Sequence, residues 1–183
     1  AQLIAEFTML GRNPVITTVT RMNDSLRLTI RDAHADDAPV LTQIAIAAKS
    51  GWGYTTQLLE LWLPQLTISS ESIQSRIVYV AELDGEAVGF GGLDFGGDPP
   101  EIDDLWVLPN FQFCGVGTSL FRHLCKSAFQ RQIERVEIVS DPNAAPFYEH
   151  MGAKQIGWHP SKPAGRMLPK FEVVLASTEF RIA

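Results

Sequence analysis

The sequence predicts an α+β (mixed α/β) domain: one central mixed sheet of about seven strands, flanked by about four helices. Three observations carry this reading. Residues 77–82 and 87–95 are β-prone runs joined at Asp84-Gly85, the strongest short hairpin signal, so the first half of the sheet is antiparallel. Residues 101–139 read as strand, glycine-bearing loop, amphipathic helix and strand, a βαβ pattern for the second half. The chain of 183 residues, 45% of them hydrophobic and without an internal repeat, suits one core.

The elements follow in order. Residues 1–25 show only scattered apolar positions, and Met22-Asn23-Asp24-Ser25 has the look of a translation start; the segment is expected to be a leader or a docked or swapped arm. From Leu26 the pattern sharpens: Leu26, Leu28 and Ile30 alternate with Arg27, Thr29 and Arg31 as in a half-buried strand. Asp36 or Asp37 is expected to cap a helix whose inner face is Val40, Leu41, Ile44, Ala45 and Ala48. A second apolar segment with Leu58, Leu59 and Trp62 is expected to stop at Pro64, and residues 69–75 read as a short helical turn. After the hairpin, Gly96-Gly97-Asp98-Pro99-Pro100 turns the chain into the strand at Glu101. Val116, Leu120, Phe121, Leu124 and Ala128 mark the buried face of the central helix. Val136, Ile138 and Val139 form a buried strand, Asp141-Pro142-Asn143 opens a helix, and Gly152 stops it. Residues 154–158 and 171–175 close the domain, which is expected to span 26–176 with a tail at 177–183.

Gln112-Phe113-Cys114-Gly115-Val116-Gly117 stands between a strand and a helix. Two glycines there let several backbone N–H groups converge at a positive helix end, which suits a phosphate. A Walker A loop would need Gly-Lys-Ser/Thr, but Gly117 is followed by Thr118-Ser119; a dinucleotide fingerprint would need a glycine where Leu120 stands. The segment that fits is Gln/Arg-x-x-Gly-x-Gly/Ala, and here the chain resembles the GNAT-type N-acetyltransferases. A second segment, Asn143-Ala144-Ala145-Pro146-Phe147-Tyr148 with Gly152-Ala153, resembles the GNAT Asn-to-Phe-Tyr-to-Gly helix at the family's separation from the loop. The resemblance covers about residues 26–176.

That resemblance implies acetyl-CoA as the acyl donor. Its pyrophosphate would lie on Gln112, Phe113, Cys114, Gly115, Val116, Gly117 and Thr118, and its arm along Leu105, Trp106 and Val107, with Asn143 and Ala145 flanking it. The family loop often carries basic residues where this chain has Phe113 and Cys114, so backbone dipoles, with Arg122 or Lys126 in reserve, would meet the charge. Acetyl transfer to an amine has three needs. An ammonium of pKa ~10.4 must lose a proton, the oxyanion needs aimed donors, and the departing thiolate needs a proton that a phenol of pKa ~10 can give. The resemblance gives the last role to Tyr148. Glu101, eleven residues before Gln112, stands where some relatives carry a catalytic glutamate. Alternation would put Asp103 on Glu101's face and Asp104 on the other. Trp52, Tyr54, Asp103 and Arg166 are the substrate-side candidates.

Composition limits the partners. A net charge of −6 argues against a nucleic-acid surface, and no apolar run approaches the ~20 residues of a membrane span. Cys114 and Cys125 suit neither a disulfide framework nor a four-ligand zinc site, so a cytoplasmic setting is expected. His34, His123, His150 and His159 show no metal spacing. The expected function is acetyl transfer from acetyl-CoA to a primary amine of a small molecule or peptide by direct attack in a ternary complex; the fold also leaves room for a homodimer. The alternative from another class is a non-catalytic acyl-CoA sensor or regulatory module on the same fold.

Overall fold

The computed structural model describes residues 27–162 and 165–175, and the backbone of a two-stranded antiparallel sheet formed by β1 (Leu3–Leu10) and β2 (Asn13–Arg21). That hairpin makes a sheet of its own. Leu26, Met22-Asn23-Asp24-Ser25 and the tail 177–183 lie outside the described residues.

The main sheet has seven strands: β3 (Leu28–Asp32), β4 (Ile77–Leu83), β5 (Glu86–Asp94), β6 (Glu101–Val107), β7 (Arg135–Val139), β8 (Lys154–Pro160) and β9 (Met167–Val174). Their spatial order is β3-β4-β5-β6-β7-β9-β8. Every neighbouring pair is antiparallel except β6 and β7. The hairpin between β4 and β5 turns at Asp84 (φ 52°) and Gly85 (φ 87°), both left-handed as its two-residue loop requires.

Helices cover both faces. On one, α1 (Ala38–Ser50), α2 (Thr56–Leu66) and the short α3 (Ser70–Ser75) bury Leu41, Ile44, Trp62 and Ile73 against Val80 and Phe90. On the other, α4 (Val116–Gln130) and α5 (Ala145–His150) bury Leu120, Phe121, Leu124 and Tyr148 against Ile102, Val136 and Phe171. Gly91 sets how near α4 lies: a Cβ there would come within 2.7 Å of Leu124 Cδ1. Among the described residues no helix is long and apolar enough to cross a membrane.

Two local expectations are corrected. Pro64 does not stop α2, which runs on to Leu66. In the last turn the missing proline N–H forfeits one bond, to the Glu60 carbonyl, and Thr67 Oγ1 donates to the Leu63 carbonyl, one of those the helix end leaves open, at 2.8 Å. Neither Asp36 nor Asp37 caps α1 through its side chain. A 3₁₀ turn precedes that helix, and the Asp37 carboxylate instead takes the His34 N–H (2.7 Å) and the Arg31 guanidinium (2.7 Å). Residues 69–75 do form the expected short helical turn, α3, with Ser69 accepting from the Ser72 N–H, and among the described residues the fifth helix is α5.

Candidate functional site

The site begins where β6 parts from β7. The two strands register at one pair, Glu101 opposite Glu137, reinforced by Glu137 N–H to Pro100 O at 2.9 Å. Beyond it β6 follows β5 alone, and a fork opens. The Glu101 side chain sits in that fork, with a backbone hydrogen bond from Val139 to its carboxylate. Burial raises the Glu101 pKa above its ordinary value, more than the Val139 bond and the nearby His159 and Lys170 lower it.

A bulge decides which way β6 presents its groups. Gly92 faces Asp104 and Leu93 faces Ile102, so Asp103 is an extra residue in the ladder. Ile102 consequently shares a core with Leu105 and Val107, while Trp106 packs on the opposite face. The expectation that Asp104 takes the face opposite Glu101 is therefore overturned: the inserted residue shifts the alternation, and Asp104 joins Glu101 and Asp103 on one face. Asp103 and Asp104 both meet Arg76, the latter at 2.6 Å. Burial, with Asp104 beside it, pushes the Asp103 pKa up to about 6 despite Arg76. Leu108 donates to Val88 O at 2.9 Å, so alternation turns the N–H groups of Leu105 and Val107 away from β5 and into the fork, and that of Trp106 toward β5.

At the far end of β6 the chain enters the glycine loop. Gln112 Nε2 ties it back to Val107 O at 3.2 Å. Phe113 (φ 61°) and Gly115 (φ 84°) are both left-handed, and Phe113 stands fully exposed. Gly115 begins α4 with no side-chain cap, and the first closing bond is Ser119 N–H to Gly115 O. The N–H groups of Val116, Gly117 and Thr118 thus have no acceptor among the described residues. A Cβ on Gly117 would only touch the Phe147 ring, at 3.5 Å, so the glycine keeps open space rather than relieving strain.

Fork and loop open into one cleft of about 700 Å³, within the range of small-molecule sites. Leu105, Gln112, Phe113, Gly115, Gly117 and Thr118 line one side of it. Trp52, Asn143, Ala144 and, on α5, Pro146, Phe147, Tyr148 and His150 line the rest. Trp106, Val107, Cys114, Val116 and Ala145 stand behind this lining, and Glu101, Asp103, Tyr54 and Arg166 are also outside it. Cys114 is exposed, whereas Cys125 is buried and its thiol pushed up to about 12. Tyr148 is 6% exposed, wedged against Phe121, Phe147 and Phe171, and burial raises its pKa well above that of a free phenol. Among the described residues its hydroxyl has no hydrogen-bond partner, and no group of three His, Cys, Asp or Glu is placed to hold a metal ion.

A family model described as the acetyltransferase (GNAT) family matches residues 41–153, more than half of the chain, from within α1 to just past α5. The chain belongs to the GNAT family of acetyltransferases. Similar solved structures agree on the fold. A GCN5-related N-acetyltransferase from Rhodopseudomonas palustris is 24% identical at a TM-score of 0.69, over 80% of this chain and 94% of that one. The PaiA N-acetyltransferase from Thermoplasma acidophilum, in complex with coenzyme A, is 17% identical at 0.68, over 81% and 99%. YncA from Salmonella typhimurium, with its cofactor acetyl-CoA, is 20% identical at 0.59, over 82% and 95%. No curated protein matches by sequence comparison.

This GNAT chain also holds a buried charge cluster that its sequence did not announce. Asp141, in the loop between β7 and α5, accepts from Lys49 Nζ (2.5 Å), Tyr54 Oη (2.8 Å), Asn143 N (3.0 Å) and Nδ2 (3.1 Å), and Arg166 Nη2 (3.3 Å). Lys49 Nζ lies 4.8–5.9 Å from the ring centroids of Trp52, Tyr54, Trp62 and Trp106. Arg166 is set by Ser161, which bonds its backbone at both ends, and stacks over Tyr54 and Trp62. Burial alone would raise the Asp141 pKa, but Lys49 and the other donors bring it below the usual carboxylate range. Burial lowers the Lys49 pKa from its ordinary value, and the Asp141 carboxylate and the four rings around Nζ oppose that shift. Arg166 Nε is buried with no acceptor among the described residues, which costs about 1–3 kcal/mol. Of these residues the sequence singles out Trp52, Tyr54, Trp106, Asn143 and Arg166 for a role. Lys49 did leave a signal: with Leu41 and Ala45 it makes an i, i+4 stripe on the inner face of α1, where a lysine requires a buried partner.

Proposed function

We propose that this protein moves an acetyl group from acetyl-CoA to a primary amine by direct attack in a ternary complex. The observation that carries the reading is the cleft itself. It joins a helix start with three unsatisfied N–H groups to a strand whose Leu105 and Val107 N–H groups face an open fork, and Tyr148 stands in its wall. Solved relatives on this fold hold coenzyme A or acetyl-CoA. When bound, acetyl-CoA supplies the thioester carbonyl that the amine attacks.

The chain's residues divide the remaining work. Val116, Gly117 and Thr118 direct N–H groups and the positive end of α4 at the pyrophosphate, which substitutes for basic residues at Phe113 and Cys114. Leu105 and Val107 offer an added strand's hydrogen bonds to the arm and donors to the carbonyl oxygen. Tyr148 holds its proton through neutral pH and gives it to the departing sulfur. The burial that raises its pKa acts on a thiolate in the same cleft, so donor and acceptor shift together. Glu101, at the vertex of the fork, takes the amine's proton; its raised pKa brings it nearer to working pH.

Thermal denaturation with acetyl-CoA tests the binding half. A ligand that binds only the folded state raises Tm by mass action. Gly117→Val places methyl groups in the cleft while the surrounding packing has room for its Cβ, so it should fold normally and lose the shift. A full shift in that variant removes the loop from the cofactor site.

A further inference from the structure

The buried cluster carries more cationic donors than it can use. Asp141 supplies its one carboxylate, and Lys49, Tyr54, Asn143 and Arg166 already occupy both of its oxygens. The Tyr54 oxygen is used as well, accepting from Arg166 Nη1 at 2.9 Å and Asn143 Nδ2 at 3.0 Å while donating to Asp141. On the donor side there is a surplus. Among the described residues Lys49 spends one of its three N–H groups on Asp141, and Arg166 spends one hydrogen on each Nη and none on Nε. Two cations against one carboxylate leave a single positive charge in a protein whose net charge is −6.

The cluster also touches the cleft. Asn143 and Trp52 belong to both: Asn143 through its bonds to Tyr54 and Asp141, Trp52 through the ring beneath Lys49. Arg166 retains 28% side-chain exposure. We infer that this cluster receives a carboxylate of the acceptor, which makes the substrate of the proposed transfer a small amine that also bears a carboxylate, an amino-acid-like molecule.

The chemistry selects that ligand over its alternatives. An ammonium would meet two cations and no free acceptor. A planar carboxylate is acceptor-only and singly charged, and it matches the Nε edge of a guanidinium whose plane is fixed by stacking over Trp62 at 4.4 Å and Tyr54 at 5.1 Å. A doubly charged phosphate would exceed the one positive charge to be neutralised.

This inference rests on the acetyl-transfer reading for its substrate, but its test does not require turnover. Three of the four tryptophans, Trp52, Trp62 and Trp106, surround Lys49, so tryptophan fluorescence reports on the cluster. The probes are N-acetyl derivatives of glycine, alanine, leucine, phenylalanine and glutamate, each paired with its C-terminal amide and titrated with and without coenzyme A. At least one acid should give a saturable change with its amide bound 10-fold or more weakly. Arg166→Gln should erase that preference, and Arg166→Lys, which keeps the charge and loses the fork, should retain part of it. Equal or absent responses to acid and amide across the wild-type panel overturn the inference without any variant. An acid preference that survives Arg166→Gln overturns it too. Failure of coenzyme A to raise Tm would instead strike the acetyl-CoA reading and leave the acid–amide comparison intact.

Discussion

Tyr148 and Glu101 are where the chemistry is most exposed to test. Tyr148→Phe keeps the ring against Phe121, Phe147 and Phe171 and removes the proton, so turnover should fall roughly 10²- to 10⁴-fold with cofactor affinity little changed. Glu101→Gln should depress turnover mainly at low pH, and higher pH should partly restore it, because the amine then loses its proton unaided. The wild-type acid limb should lie above the ordinary glutamate range, as burial raises that carboxyl. A pH–rate profile of each variant reads both effects. Asp141 gives a stability prediction of opposite sign. Its folded pKa lies below the ordinary 3.8, so its contribution is complete above that value and is lost as pH falls through the folded pKa. Asp141→Asn strands Lys49 and Arg166 without their counter-charge and should cost about 3–5 kcal/mol near neutral pH. Urea unfolding from pH 7 down to pH 3 should show that penalty shrinking as the wild-type carboxylate is protonated.

Periodicity made the elements legible where one face of each is buried. The β4–β5 hairpin, the α4 stripe of Val116, Leu120, Phe121, Leu124 and Ala128, and the turn at Asp84-Gly85 all follow local rules, and the structure obeys them. The β6 bulge at Asp103 was not legible. No turn residue marks it; it is defined by the pairing of Gly92 and Leu93 across the sheet, and it changes which N–H groups face the fork. Nor could alternation show that Arg76, on the chain before β4, would gather Asp103 and Asp104 together. The glycine loop was readable because its geometry is local. The Lys49–Asp141 pair spans 92 positions of sequence and exists only once α1 is laid beside the end of β7. Sequence motifs named residues that line the cleft, and tertiary contact alone assembled the charges beside it.

At the scale of the whole molecule, the seven-stranded sheet and its two helical layers form two cores, and β1 and β2 pair in a sheet of their own. Deleting residues 1–21 should therefore leave Tm and acetyl-CoA affinity unchanged; a large loss of stability would assign that hairpin a structural role. The central claim is that this fold catalyses transfer rather than merely holding an acyl-CoA. The direct measurement incubates the protein with isotopically labelled acetyl-CoA and a panel of carboxylate-bearing amines, and follows free thiol and acetylated amine together by mass spectrometry. The account predicts labelled N-acetyl product in one-to-one ratio with released coenzyme A, and the Tyr148→Phe variant slowing both equally. Acetyl-CoA that binds and raises Tm, with no amine in a broad panel accelerating coenzyme A release, would contradict it and leave a binding module in place of an enzyme.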